Sequence, residues 1–140
     1  MKNIRFFTED IKFELKKKSE LKKWIDSVVT ENNKETESIN YIFTSDLYLL
    51  EINQKYLNHN TLTDIITFNN SSSKNNIEAD IFISIERVMD NARALKTQFT
   101  EELHRVMIHG VLHLIGFDDK TEQEKSEMRK KENHYLALRF

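Results

Sequence analysis

Between Thr100 and Ile115 the chain reads TEELHRVMIHGVLHLI, and from Val106 onward every residue except two histidines is apolar or glycine. A helix that is apolar nearly all the way round must be buried, so this segment is expected to run through the core. Projected at about 100° per residue with His109 at zero, His113 falls near +40°, Glu102 near +20° and Arg105 near −40°. The polar residues thus form one narrow seam. Two imidazoles four residues apart stand one turn apart, with about 5–6 Å between their Cβ atoms, a spacing that suits a shared metal ion.

Two histidines do not complete a tetrahedral site, and the next oxygen donors in the chain are Asp118 and Asp119. On an uninterrupted helix Asp119 would project about 120° away from His113 and about 9 Å further along the axis. The helix must therefore stop. Gly116 is suited to stop it, because the residue that closes a helix commonly needs a positive φ. Gly110, the only other glycine in the chain, costs the helix about 1 kcal/mol against alanine. Its missing side chain would let a neighbouring strand or a substrate approach the metal.

A chain of 140 residues with no cysteine and no proline suits one domain, 1–140, with a core of its own. Thiolate metal sites and disulfide scaffolds are excluded, leaving His, Asp and Glu as donors. Lys plus Arg number 21 and Asp plus Glu 23, a net charge of −2, so no global field draws in nucleic acid and any RNA contact must be local. No secretory leader reads out of Met1 to Phe13, and nowhere do 18 apolar residues run together. The expectation is a cytoplasmic protein with no membrane partner.

Ile4 and Phe6 alternate with polar residues as a first strand. Ser19 is expected to cap a helix with Leu21, Trp24, Ile25, Val28 and Val29 on one face, and the lysines at 16, 17, 18, 22 and 23 read as a solvated surface. Ile39, Tyr41 and Phe43 mark a second strand, and Ser45 caps a helix through Leu47, Leu50, Ile52 and Tyr56. Leu62 to Phe68 and Ile77 to Ile85 read as third and fourth strands, hairpinned across a polar loop, with the fourth central and buried on both faces. Ser84 to Leu95 forms a helix on Ile85, Val88, Met89, Ala92 and Leu95. Thr121 and Glu124 make a capping box for a last helix. The predicted fold is α+β: one small mixed sheet of about four strands, about five helices, and a metal site at the end of a buried helix.

The run His109-Gly110-Val111-Leu112-His113-Leu114-Ile115-Gly116-Phe117-Asp118-Asp119 closely resembles the H-G-x-L-H-L-x-G-Y-D-H signature of the YbeY family, bacterial rRNA maturation factors regarded as zinc-dependent, single-strand-specific endoribonucleases. Ile52-Asn53-Gln54-Lys55-Tyr56, Thr63-Asp64-Ile65-Ile66-Thr67-Phe68 and Glu78-Ala79-Asp80-Ile81 resemble its L-N-x-x-Y-R, T-D-V-L-S-F and L-G-D-I elements. Two positions depart from the pattern. Asp119 stands where the family carries its third histidine ligand, and a carboxylate is an acceptable zinc donor. Leu57 stands where the family carries arginine, removing a guanidinium suited to phosphate.

The resemblance implies His109, His113 and Asp119 as ligands of one zinc ion per chain, with another divalent transition metal as the alternative. It implies ribosomal RNA and ribosomal subunits as partners, and no organic cofactor. Three protein ligands leave a fourth position for water, whose pKa zinc lowers to about 7. No side chain is assigned as general acid or base. Arg105 is a candidate phosphate contact, its other reading being a pair with Glu101 or Glu102. Lys55 and His59 are candidates to replace the charge lost at Leu57. His104 and His134 read as structural, and Tyr56 as a core residue or a platform for a base. Two other functions compete: a non-catalytic ribosome assembly factor with a structural metal, and a metallopeptidase. The latter is weakened because Gly110 occupies the place of the general-base Glu in H-E-x-x-H.

Overall fold

The computed structural model describes residues 3–59 and 61–140; residues 1, 2 and 60 lie outside it. Nine elements follow one another: β1 (Ile4–Thr8), α1 (Lys18–Glu31), β2 (Glu35–Thr44), α2 (Asp46–Leu57), β3 (Ile65–Asn69), β4 (Asn76–Ser84), α3 (Ile85–Leu95), α4 (Phe99–Ile115) and α5 (Glu122–Ala137). The four strands form one sheet in the order β1-β2-β4-β3. β1 and β2 run parallel with Phe6 beside Tyr41, β2 and β4 run parallel with Tyr41 beside Ile81, and β3 runs antiparallel to β4 with Thr67 beside Ile81. The fold is α+β, with β3 at an open edge.

One face of the sheet carries Ile4, Ile39, Tyr41, Phe43, Ile77, Ala79, Ile81 and Ile83, all buried, and α1 and α4 pack on it. The Tyr41 hydroxyl donates to the carbonyl of Met107 at 2.9 Å, tying the centre of the sheet to the middle of α4. α4 is buried on nearly every side, as its composition demands, and α3 and α5 flank it. α2 covers the opposite face, where Tyr48 stacks near Phe82 and Tyr56 meets Phe68 edge-on. That cover is thinner. β4 is central, but apart from Ser84 at its end only the α4-facing residues are fully buried, while Glu78, Asp80 and Phe82 are half-buried, so the expectation of burial on both faces is corrected.

Local signals account for most boundaries. Ser45 accepts from the amide of Tyr48, Ser84 from that of Arg87, and Thr121 with Glu124 completes a reciprocal capping box. Ser19 does not cap α1. That helix begins two residues earlier, after Lys17 in the left-handed region at φ 57°, although the buried face is the predicted one. α2 buries Leu49 and Asn53 rather than the expected set, leaving Leu47 and Tyr56 more than 60% exposed, so Tyr56 is not a core residue. β3 begins at Ile65 instead of Leu62, and β4 ends at Ser84 because that serine caps α3. No helix among the described residues is long and apolar enough to cross a membrane.

Candidate metal centre

Gly116 closes α4 at φ 124°, donating to the carbonyls of Leu112 and His113 while Phe117 donates to Leu112 at 3.0 Å. This reversal turns the chain back on the last turn of α4. It brings Asp119 to the two histidines and leaves Asp118 exposed. Gly110 faces the sheet: a Cβ there would stand 3.0 Å from Ile65 Cδ1 and 3.3 Å from both Ile81 Cδ1 and Thr67 Oγ1. The sequence left open whether a strand or a substrate uses that space. β3 and β4 use it.

His109 Nε2 and His113 Nε2 lie 3.0 Å apart, and Asp119 Oδ2 lies 3.3 Å from the first and 3.4 Å from the second. Donors about 2.0–2.1 Å from a tetrahedral ion are separated by about 3.3 Å, so this triangle has the size of one face of a zinc coordination sphere. Among the described residues, His109, His113 and Asp119 form the one group of three or more such donors able to hold a metal ion. All three are half-buried, with side chains 22%, 31% and 38% exposed. They face a cleft of about 510 Å³ that Thr63, Asp64, Thr67 and Asn69 border from the β3 edge.

The far side of His109 is held from α5. Glu132 Oε2 stands 2.7 Å from His109 Nδ1, and its Oε1 accepts from Arg105 Nη1 at 2.9 Å. A carboxylate on Nδ1 keeps the proton there, so the neutral ring presents a bare lone pair at Nε2 toward His113 and Asp119. Burial alone would lower the pKa of His109, but the hydrogen bond and charge of Glu132, with Asp119 and Asp64, outweigh it and the net direction is up. Burial would raise Glu132, yet its bonds from His109 and Arg105 carry it below the usual carboxylate range. Asp64, beside the centre, is raised by burial more than the charge of His109 lowers it.

Sequence reasoning missed Glu132. Its signal was present: Met128, Tyr135 and Leu136 make the buried face of α5, and an acid falls on that same face. Arg105 sits beside the centre, but its guanidinium is committed to Glu132 and, through Nη2 at 2.8 Å, to Asn133. Among the described residues the alternative pair with Glu101 or Glu102 is not formed: Arg105 is held by Glu132 and Asn133, and Glu101 pairs with Arg139. Lys55 lies over the Tyr56 ring and His59 follows the end of α2, and neither borders the cleft. His104 is buried between Trp24 and Phe140 with Arg139 on its Nδ1, whereas His134 is exposed.

The family model described as Endoribonuclease YbeY matches residues 3–138. Proteins named Endoribonuclease YbeY from Cytophaga hutchinsonii and Flavobacterium psychrophilum are 48% and 51% identical to this chain over 136 and 132 residues. The first alignment covers 97% of this chain and 95% of the relative, the second 94% of each. The solution structure of TM1509 from Thermotoga maritima is similar at a TM-score of 0.66 and 28% identity, over 95% of this chain and 86% of that one. This chain belongs to the YbeY family.

Proposed function

We propose that this chain is a metal-dependent endoribonuclease that cuts single-stranded regions of ribosomal RNA during its maturation, acting as one domain on ribosomal subunits. The observation that carries the reading is the triangle of His109, His113 and Asp119 donors, sized for one ion and open to a cleft. Zinc is the proposed ion, one per chain, with another divalent transition metal as the alternative for a set that includes a carboxylate. When bound, such an ion supplies Lewis acidity at a phosphoryl oxygen and acidifies a coordinated water.

The protein's own part is orientation. Glu132 fixes the His109 tautomer, Arg105 holds Glu132, and the Gly116 reversal delivers Asp119. Thr67 and Asn69 offer hydrogen-bonding groups along the cleft wall, where a sugar-phosphate chain would lie. Arg105, already bonded twice within the protein, is assigned to positioning and not to the substrate. A site with only three protein donors fits a working centre better than a closed structural one.

The test is cleavage of single-stranded and duplex rRNA fragments by purified protein, with and without chelator, beside His113→Ala. Cutting of the single strand alone, lost in chelator and in the variant, is the expected result. A metal-loaded protein that cuts neither would move the assignment to an assembly factor with a structural ion.

A further inference from the structure

Next to the cleft lies a second cavity of about 290 Å³, bounded by α4, α5 and the start of β3, and sharing Asp64, Ile65, His109 and Asp119 with it. Glu102 lines this cavity. It is only 7% exposed, and among the described residues its carboxylate makes no hydrogen bond and no ion pair. The neighbouring charges are otherwise matched: Glu132 takes His109 and Arg105, and Arg105 also takes Asn133. Glu102 is thus a carboxylate of the cavity wall that is left without a protein donor. Burial and the facing Asp64 and Glu132 raise its pKa, while Arg105 and Arg129 act the other way.

Three features describe what would fit. The walls include Ile65 and Val106, apolar surfaces against which a flat ring can lie. Arg129 also lines the cavity with its side chain 53% exposed; it is ion-paired with Glu132 Oε1 through Nη1 at 3.6 Å, a contact too long for a hydrogen bond, so its guanidinium donors can still reach a phosphate. The cavity adjoins two of the three metal donors, His109 and Asp119, so its occupant would lie next to the reacting phosphate.

We propose that this cavity receives one base of the RNA beside the scissile bond and that Glu102 selects guanine. The substrate class rests on the endoribonuclease reading above. Guanine presents two adjacent donors, N1–H and N2–H, to the two oxygens of a carboxylate. Adenine and cytosine place an acceptor nitrogen beside their amino group, and uracil places its single N–H between two carbonyls. Each would set an acceptor against the second oxygen of Glu102.

The test is binding of the four ribonucleoside 5′-monophosphates to the full-length metal-loaded protein, followed by calorimetry. Their phosphate is common, so its contribution cancels. GMP is expected to bind about tenfold more tightly than UMP, AMP or CMP. Glu102→Gln, with one donor and one acceptor, should lose that preference in favour of AMP and CMP at unchanged metal content. Glu102→Asp should keep the guanine preference in weakened form, which guards against a folding artefact in one variant. Equal affinities for all four, or a preference that Glu102→Gln leaves intact, would overturn the proposal. Guanine-selective binding without RNA cleavage would retire the nuclease reading and keep the pocket; cleavage without base preference would do the reverse.

Discussion

Glu132→Gln is the perturbation with the sharpest consequence. The carboxylate accepts from His109 on one oxygen at 2.7 Å and from Arg105 on the other at 2.9 Å, with only 7% of its side chain exposed. Glutamine keeps the shape but offers one oxygen and one amide nitrogen. If the oxygen faces His109, the amide N–H groups face the Arg105 donors. If the nitrogen faces His109, Nδ1 must accept and the ring proton moves to Nε2, where it blocks the lone pair aimed at the metal. Either orientation sets a donor against a donor or selects the wrong tautomer. Loss of such a carboxylate behind a ligating histidine weakens metal binding by about 10–100-fold, or about 1.4–2.7 kcal/mol. Loss of charge-assisted bonds at a buried position should lower stability in chelator by a further ~2–3 kcal/mol. Competition against a fluorescent zinc chelator measures the first effect and urea unfolding the second. Asn133→Ala, at the exposed end of the Arg105 fork, is the control and should change metal affinity little. An affinity for zinc within about twofold of the unaltered protein would refute the tautomer argument, whatever happened to stability.

Gly116→Ala, with open space around the new methyl but φ at 124°, should lower stability by about 1–3 kcal/mol and weaken metal binding by displacing Asp119, as urea unfolding and chelator competition would report. Gly110→Ala gains about 1 kcal/mol of helix propensity, yet its methyl meets Ile65 at 3.0 Å, so unfolding should show net destabilisation of about 0–2 kcal/mol. Burial, reinforced by Arg139, holds His104 down to about 4. The unfolded chain protonates this residue near pH 6.5 and the folded chain only near pH 4, so in chelator stability should fall as pH drops through that window and level off below it, by at most about 3 kcal/mol. In His104→Gln that part of the acid limb should be missing from urea unfolding measured across the range.

The juxtaposition of His109, His113 and Asp119 was legible because these residues are close in sequence. His109, His113 and Gly116 share one helix and its end, where helical geometry fixes their relation, and Asp119 follows within one reversal. The strands and helices were legible where one face is buried, as at Leu21, Trp24, Ile25, Val28 and Val29. α2 was misjudged because it packs on the thin side of the sheet, where Leu47 and Tyr56 stay exposed and apolar spacing no longer reports burial. Glu132 and Glu102 escaped assignment for another reason. Their partners, or lack of them, depend on how α4 meets α5 and β3, contacts that no local periodicity encodes.

A crystal grown with zinc, with anomalous diffraction recorded on both sides of the zinc absorption edge, would locate the ion directly. One strong peak per chain is expected, about 2.0–2.2 Å from His109 Nε2, His113 Nε2 and an Asp119 oxygen. A peak seated instead among Asp64, Glu102 and Glu132, or an Asp119 turned away from an ion held by the two imidazoles alone, would contradict the three-donor centre.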